Sequence, residues 1–525
     1  MKRISLRLGA MLLAAALAAC TVGPDYRRPA TPQPPAWTGT AGHGEYVQGD
    51  SASLAHWWTG FRDAELNHLV AVALTDNLDI RTAGLRIAQA RAQRKAAAAS
   101  WLPTFGGSAR GQRYRVPNSL RDLPQQLAGG SAAPAGGTAQ AGGAGGLQLP
   151  SYLSVYQAGF DASWELDLFG GTRRRVEAAE DVTQAAVAQR RGAVVATLAE
   201  LGSDYAELRG TQAQLALTRQ IVQNNRELLA LTRNQAGSGL ASDLDVARAQ
   251  SELDTSRAAL PLLQAQQLRA VHAIAILLGR TPESMEDELL RTQPLPPVPP
   301  QIPVALPATV LRHRPDVQQA ERQLAAATAE IGVAVAARLP TLALTGSTGL
   351  ASNQLDELLR HDNWTWNAAA SLTAPIFQGG RLQANQQEAE ARARQAALRY
   401  RQTVLQALQE TEDALQGYAA ESQQREALQS AVGAAQTAFA QARSLYRSGL
   451  GSYLDVLDAD RALAQARNRL VQNGRDRMRQ LIALYQALGG GWEAASAPRS
   501  AGGDPAAAPA ADTETDTGGD TATGS

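Results

Sequence analysis

The sequence predicts a mixed α/β membrane protein built by tandem duplication, with four β-strands and two very long helical hairpins in each chain. Three observations predict it. Residues 158–168 alternate strictly: Ala158, Phe160, Ala162, Trp164, Leu166 and Leu168 fall on one face, Gly159, Asp161, Ser163, Glu165 and Asp167 on the other. That is the two-residue period of a strand. Helical patterns over 173–236 and 381–447 run unbroken, far beyond ordinary globular helices, and at 1.5 Å per residue each spans roughly 90 Å. The order helix, β-hairpin, long helix, glycine tip and returning helix then occurs twice. Its offsets are 237 residues for the first helix and strand, 208 at Phe169 and Phe377, and 210 at the tips.

The chain begins with a basic Lys2, Arg3 and Arg7, a short apolar run over 8–18, and Leu17-Ala18-Ala19-Cys20. This pattern predicts a bacterial lipoprotein signal, with residues 1–19 removed and Cys20 lipidated. Cys20 is the only cysteine, so no intrachain disulfide can form. Thr21 follows it rather than the Asp that usually retains such lipoproteins at the inner membrane, which favours the outer membrane. Residues 20–56 carry much Pro, Gly and Thr and read as an extended tether without helix or strand.

The first repeat is placed at 57–279. Folding signal starts at Trp57, Trp58 and Phe61, a helix is expected over 63–100 with a local break near Asn77-Leu78-Asp79, and a β-hairpin over 103–168. Within that hairpin, 116–150 is a Gly/Ala/Pro-rich loop. The long helix follows, then a tip at 237–245 with Gly237, Gly239 and Asp245, then a return to about Leu278. The proline-rich stretch 280–308 reads as an extended surface linker. The second repeat, 309–490, has a hairpin at 340–375 and a tip at 447–458. There Gly449 and Gly451 break the helix, Ser452 can cap the next one, and Asp455 falls at its third position. Residues 491–525 read as a disordered acidic tail.

Four strands cannot close a barrel with a useful lumen. Open edges in lipid would leave backbone groups unpaired at several kcal/mol each. Three chains sharing twelve strands remove the edges. Trp101, Trp164, Phe169, Trp364 and Trp366 are candidates for an interfacial girdle. Leu398, Leu405, Leu408 and Leu415 give a heptad-like seam suited to a tube of packed helices. A solid coiled-coil stalk on a lipoprotein is the plainer alternative, but a stalk has no need of four alternating strands. With 49 basic and 49 acidic residues, no nucleic-acid partner is expected. Six scattered histidines and the absence of HExxH, GxSxG, CxxC or P-loop patterns give no enzyme signal, no metal site and no cofactor besides the lipid on Cys20.

Several stretches resemble the outer-membrane factor family, also called outer membrane efflux proteins, in its lipoprotein branch serving resistance-nodulation-division pumps. They are LAACTVGPDYRRP at 17–29, WWTGFRDAELNHL at 57–69, the long stretch 312–349, APIFQGGRLQAN at 374–385, YRSGLGSYLDVLDADRAL at 446–463 and LYQALGGGW at 484–492. The resemblance implies a homotrimer: a twelve-stranded outer-membrane barrel above a periplasmic α-helical barrel, acting as a passive exit channel for a periplasmic adaptor and an inner-membrane pump. By position it makes Asp245, Asp455 and Asp458 aperture carboxylates, Leu454 an apolar constriction and Tyr446 an interhelix contact. Where one family pattern has Arg, this chain has Gly451, which leaves Arg248 and Arg461, each three residues after an acid, as candidates for closing bonds. Type I protein secretion and metal-ion efflux remain alternative uses of the same architecture.

Overall fold

The structure is a computed structural model that describes residues 21–31, 34–42, 44–49, 51–115 and 151–495. Its main elements are β1 (Tyr46–Gln48), α1 (Ala64–Asp76), α2 (Leu78–Ala99), β2 (Thr104–Arg115), β3 (Tyr152–Leu166), α3 (Gly171–Gly237) and α4 (Asp243–Leu277). After these come β4 (Ile302–Val304), α5 (Pro307–His313), α6 (Pro315–Ala336), β5 (Thr341–Ser352), β6 (Trp364–Thr373), α7 (Arg381–Arg447) and α8 (Tyr453–Ala487). The duplication is near-literal. α3 and α7 each have 67 residues and α4 and α8 each have 35. The expected break in the first helix is real. Asn77 ends α1 and caps α2, its Oδ1 accepting from the N–H groups of Asp79 at 2.9 Å and Ile80 at 3.0 Å.

Strands β2, β3, β5 and β6 form one antiparallel sheet in that order, leaving β2 and β6 as free edges. The register separates two faces, because residues paired across antiparallel strands point the same way. Trp164 pairs Leu344 and Leu166 pairs Leu342, while Leu344 pairs Ala370 and Leu342 pairs Leu372. These make one apolar face. On the opposite face Ser163 pairs Thr345, Asp161 pairs Ser347 and Ser347 pairs Asn367. Trp101 and Trp164 mark the helical end of the apolar face, where Trp164 Nε1–H donates to the Trp101 carbonyl at 3.0 Å. Trp364 and Trp366 mark the far end and are 56% and 67% exposed. Phe169 is half-buried, and its carbonyl accepts from the Val22 N–H at 3.2 Å. No described helix is long and apolar enough to cross a membrane.

Next to the sheet the helices lie in the order α2, α3, α6, α7. Beyond the middle of the molecule the order is α4, α3, α8, α7. Between the two zones sits the main core, where Trp57, Trp58, Phe61, Tyr205, Leu481 and Tyr485 are buried together. Trp57 stacks on Tyr485 with centroids 5.2 Å apart.

Three expectations are corrected here. The segment after Thr21 is a docked strap rather than a free tether. Arg174 holds Asp25 at 2.7 Å, the N–H groups of Thr38 and Gly39 donate to Glu412 at 2.8 and 2.9 Å, and Trp37 is buried. The proline-rich linker is not simply extended on the surface, since Met285, Leu289 and Ile302 are buried and β4 pairs in parallel with β1. The tail folds at its start, where Trp492 lies 5.0 Å from His313. Signal residues 1–19, Cys20, the loop 116–150 and tail residues 496–525 lie outside the described residues.

Candidate functional site

Both long helices end in the same way. Gly239 and Gly449 have φ of 75° and 73°, a left-handed conformation that costs a side-chain-bearing residue about 1–2 kcal/mol. Their N–H groups donate to the carbonyls of Ala236 at 2.9 Å and Tyr446 at 3.1 Å. The next residues, Leu240 and Leu450, donate to Gln235 at 2.8 Å and Leu445 at 2.9 Å. This pair of bonds is a Schellman C-cap. Gly237 ends α3 with open space around it. Gly451 is confined: a Cβ there would lie 3.0 Å from Leu445 Cβ and 3.2 Å from Tyr446 N. A side chain there would need Leu445 to give by a few tenths of an ångström; the equivalent position of the first repeat is Ala241.

Ser242 and Ser452 open the return helices with full capping boxes. Ser242 Oγ donates to Asp245 at 2.7 Å and Ser452 Oγ to Asp455 at 2.9 Å, while each Asp N–H returns a bond of 3.2 Å. Asp245 and Asp455 therefore bind their own helix starts, where the helix dipole also favours their charge. Asp458 is exposed. Leu454 is 48% exposed and its counterpart by the tip offset, Leu244, 58%; a second pair by the same offset, Leu240 and Leu450, is 72% and 79% exposed. The 210-residue offset was the signal that could have added Leu244.

Behind the tips the two hairpins hold each other. Tyr446 and Tyr453 are buried with ring centroids 5.8 Å apart, among Val222, Leu228 and Leu457. Tyr446 O–H donates to Thr232 Oγ1 at 3.4 Å, and Gln235 Nε2–H donates to the Tyr446 carbonyl at 2.9 Å. Burial pushes the Tyr446 phenol up despite the Thr232 bond. Tyr446 thus ties α7 to α3 within one chain.

The two arginine candidates part company. Arg248 pairs with Asp245 on its own helix at 3.5 Å. Arg461 does not take Asp458. Its Nε and Nη2 donate to Glu252 on α4 at 2.9 and 2.6 Å, so it bridges the hairpins. Arg443 makes a second bridge, to Glu227 on α3 at 3.2 Å. Beside these bridges lies Asp460, which sequence reasoning missed. It is 5% exposed. Burial, then the nearby Glu252 charge, push its carboxyl up to about 6 against the pull of Arg467, Arg443 and Arg461. Its counterpart in the first repeat is the neutral Gln250. Among the described residues no group of three or more His, Cys, Asp or Glu side chains could hold a metal ion.

This geometry can narrow a passage and charge it; it presents no nucleophile or paired acid and base. The sequence matches the family model described as outer membrane efflux protein over residues 69–280 and 306–490. The chain is 32% identical over 498 residues to the solvent efflux pump outer membrane protein SrpC of Pseudomonas putida, covering 94% of this chain and 99% of that protein. It is 30% identical over 481 residues to the cation efflux system protein CusC of Escherichia coli, covering 92% and 98%. Among solved structures, the outer-membrane channel OprN superposes with a TM-score of 0.79 at 33% identity, covering 90% of this chain and 100% of that one. A family match across both repeats and full-length likeness in sequence and fold agree: the chain belongs to the outer membrane efflux protein family.

Proposed function

We propose that three copies of this chain form the passive outer-membrane exit duct of a tripartite efflux system, passing small molecules handed over by a periplasmic adaptor and an inner-membrane resistance-nodulation-division pump. The observation that carries it is the four-stranded sheet. It has one apolar face, one polar face and two free edges, and it continues into helical hairpins tens of ångströms long. Three such sheets satisfy every edge, put the apolar faces on lipid and give a wet lumen. The helical hairpins extend that lumen to the tips. Substrate choice belongs to the pump, consistent with relatives named for solvents in one case and cations in another. The exposed Leu240 and Leu450 offer an adaptor apolar contacts at the tips.

Lipidation of Cys20 fits the strap. Thr21 packs on Gly170 at the foot of β3, so acyl chains on the preceding residue would enter the membrane beside the barrel. Cys20→Ser should abolish acyl labelling, and labelling that persists would remove the lipoprotein assignment.

The functional reading is tested in planar bilayers with purified protein alone. It predicts a low resting conductance with cation preference, set by carboxylates at a narrowed mouth. Protein that inserts, folded, without conducting or selecting would refute it.

A further inference from the structure

Where α8 ends and α6 begins, the helical layer opens into a cavity of about 670 Å³. Arg314 makes the joint. Its Nη1–H donates to the carbonyl of Ala487, the last residue of α8, at 2.8 Å, and Nη2 also holds Asp316 at 2.7 Å and Glu410 at 2.6 Å. The wall beside the joint is made of short residues: Gly192 and Val195 on α3, Ala414 and Gly417 on α7, and Ala483 on α8. The first repeat is built differently. At its joint the neutral Asn77 stands in the place of Arg314, its Nδ2–H donating to the Leu277 carbonyl at 2.8 Å. The counterparts of Ala414 and Gly417 by the 210-residue offset are the longer Asp204 and Glu207.

The cavity is lined by three carboxylates, Asp316, Glu410 and Asp413, against one guanidinium, Arg314. Arg314 has nothing left to offer a ligand. Its side chain is 8% exposed and Nε, too, is bonded to Asp316, at 3.0 Å. Asp413 is exposed, and among the described residues no cation pairs with it; it accepts from Gln409 Nε2–H at 3.3 Å. The carboxylates are not grouped as a metal site would need. They stand around an apolar wall, within the size range of drug-sized ligand pockets, roughly 300–1,000 Å³.

The cavity opens on the bare face of the layer. Glu410, Asp413 and Gly417 lie roughly 140–160° around α7 from Leu415. Leu415 faces the strap: a Cβ on Gly39 would lie 2.8 Å from its Cβ, and Tyr46 O–H donates to its carbonyl at 2.7 Å. On α8, Ala483 lies across the helix from Leu481 and Tyr485, which join the main core. Three copies bring twelve helices to this level, and spacings of 8–10 Å leave a bore of roughly 20–28 Å. Three straps and cores turned inward, each about 10 Å thick, would all but close it. The covered face is therefore the outside of the tube and the cavity faces the bore.

We infer that this cavity is a binding station in the channel wall for amphiphilic organic cations, one in each copy, with Asp413 and Glu410 taking the positive charge and Val195, Ala414 and Ala483 the apolar body. The inference rests on the three-copy reading and adds to it a ligand class and a place on the wall.

The test uses full-length protein in lipid nanodiscs, with tetraphenylphosphonium as the probe and tetraphenylborate as an anion of the same shape. Above empty discs, the cation should bind saturably at one per chain and the anion should not. Asp413→Asn, which keeps the shape, should weaken cation binding about tenfold, and Ala483→Leu, which fills the hollow, should abolish it. In planar bilayers the cation, added on the barrel side, should block current through the parent at lower concentration than through Asp413→Asn. Native mass is measured on every sample. A three-copy species without saturable binding, or with equal binding in both variants, overturns the station and leaves the channel standing. Binding without block puts the cavity off the bore and overturns the inference too. A one-copy mass overturns the three-copy reading itself.

Discussion

Asp455 and Asp458 sit three residues apart and do different work. Asp455 is committed to its capping box, so Asp455→Ala should lower stability by about 0.5–2 kcal/mol. Asp458 is exposed and unbound by Arg461. Asp458→Ala should leave thermal stability unchanged and weaken cation preference in a bilayer. The reverse pattern would reassign both residues. Asp460 carries a pH dependence. In the folded chain it keeps its proton up to about pH 6, whereas its ordinary value is 3.8. Between those values the folded state binds more protons than the unfolded one, so stability falls as pH rises, and above that window the full penalty stands. Asp460→Asn should therefore raise stability at neutral pH by about 1–3 kcal/mol and flatten the acid-side slope of the melting curve. Denaturant titrations at several pH values check it. The serine caps and their aspartates were legible in the sequence because a capping box is written within four residues. The Arg461–Glu252 bridge was not, because its partners are 209 residues apart and nothing local selects that acid over Asp458.

At the scale of elements, periodicity carried the reading. The strands and long helices have enough residues for a pattern to accumulate, and the structure places them where the pattern did. The strap and the proline-rich connection were misread for the opposite reason. β1 and β4 have three residues each, too few to alternate, and Trp37 is buried by contacts with a distant segment, its Nε1–H donating to the Ala305 carbonyl at 2.7 Å. The two sheet faces give a direct test. Phe160→Arg or Ala368→Arg, at mid-strand on the apolar face, should cost about 2–4 kcal/mol near the midplane of the bilayer. Ser163→Arg and Ser371→Arg, on the polar face, should assemble nearly as well as the parent. Equal assembly yields in outer-membrane fractions would reverse the faces. The bridges between hairpins behave otherwise. Arg461 is 58% exposed, and an exposed pair contributes about 0.2–1 kcal/mol. Arg461→Ala should scarcely move the melting temperature, yet raise resting conductance if the bridge restrains the tip.

At the scale of the whole molecule, the duplication makes a half-ring motif twice and leaves it unfinished. The sheet ends in one unpaired strand edge on each side, β2 and β6. The central claim is that three copies complete one barrel. Native mass spectrometry of detergent-solubilised protein tests it most directly. The account predicts a single dominant species of three chains that resists dissociation until the detergent is stripped under unfolding conditions; a stable, folded one-chain species would contradict it.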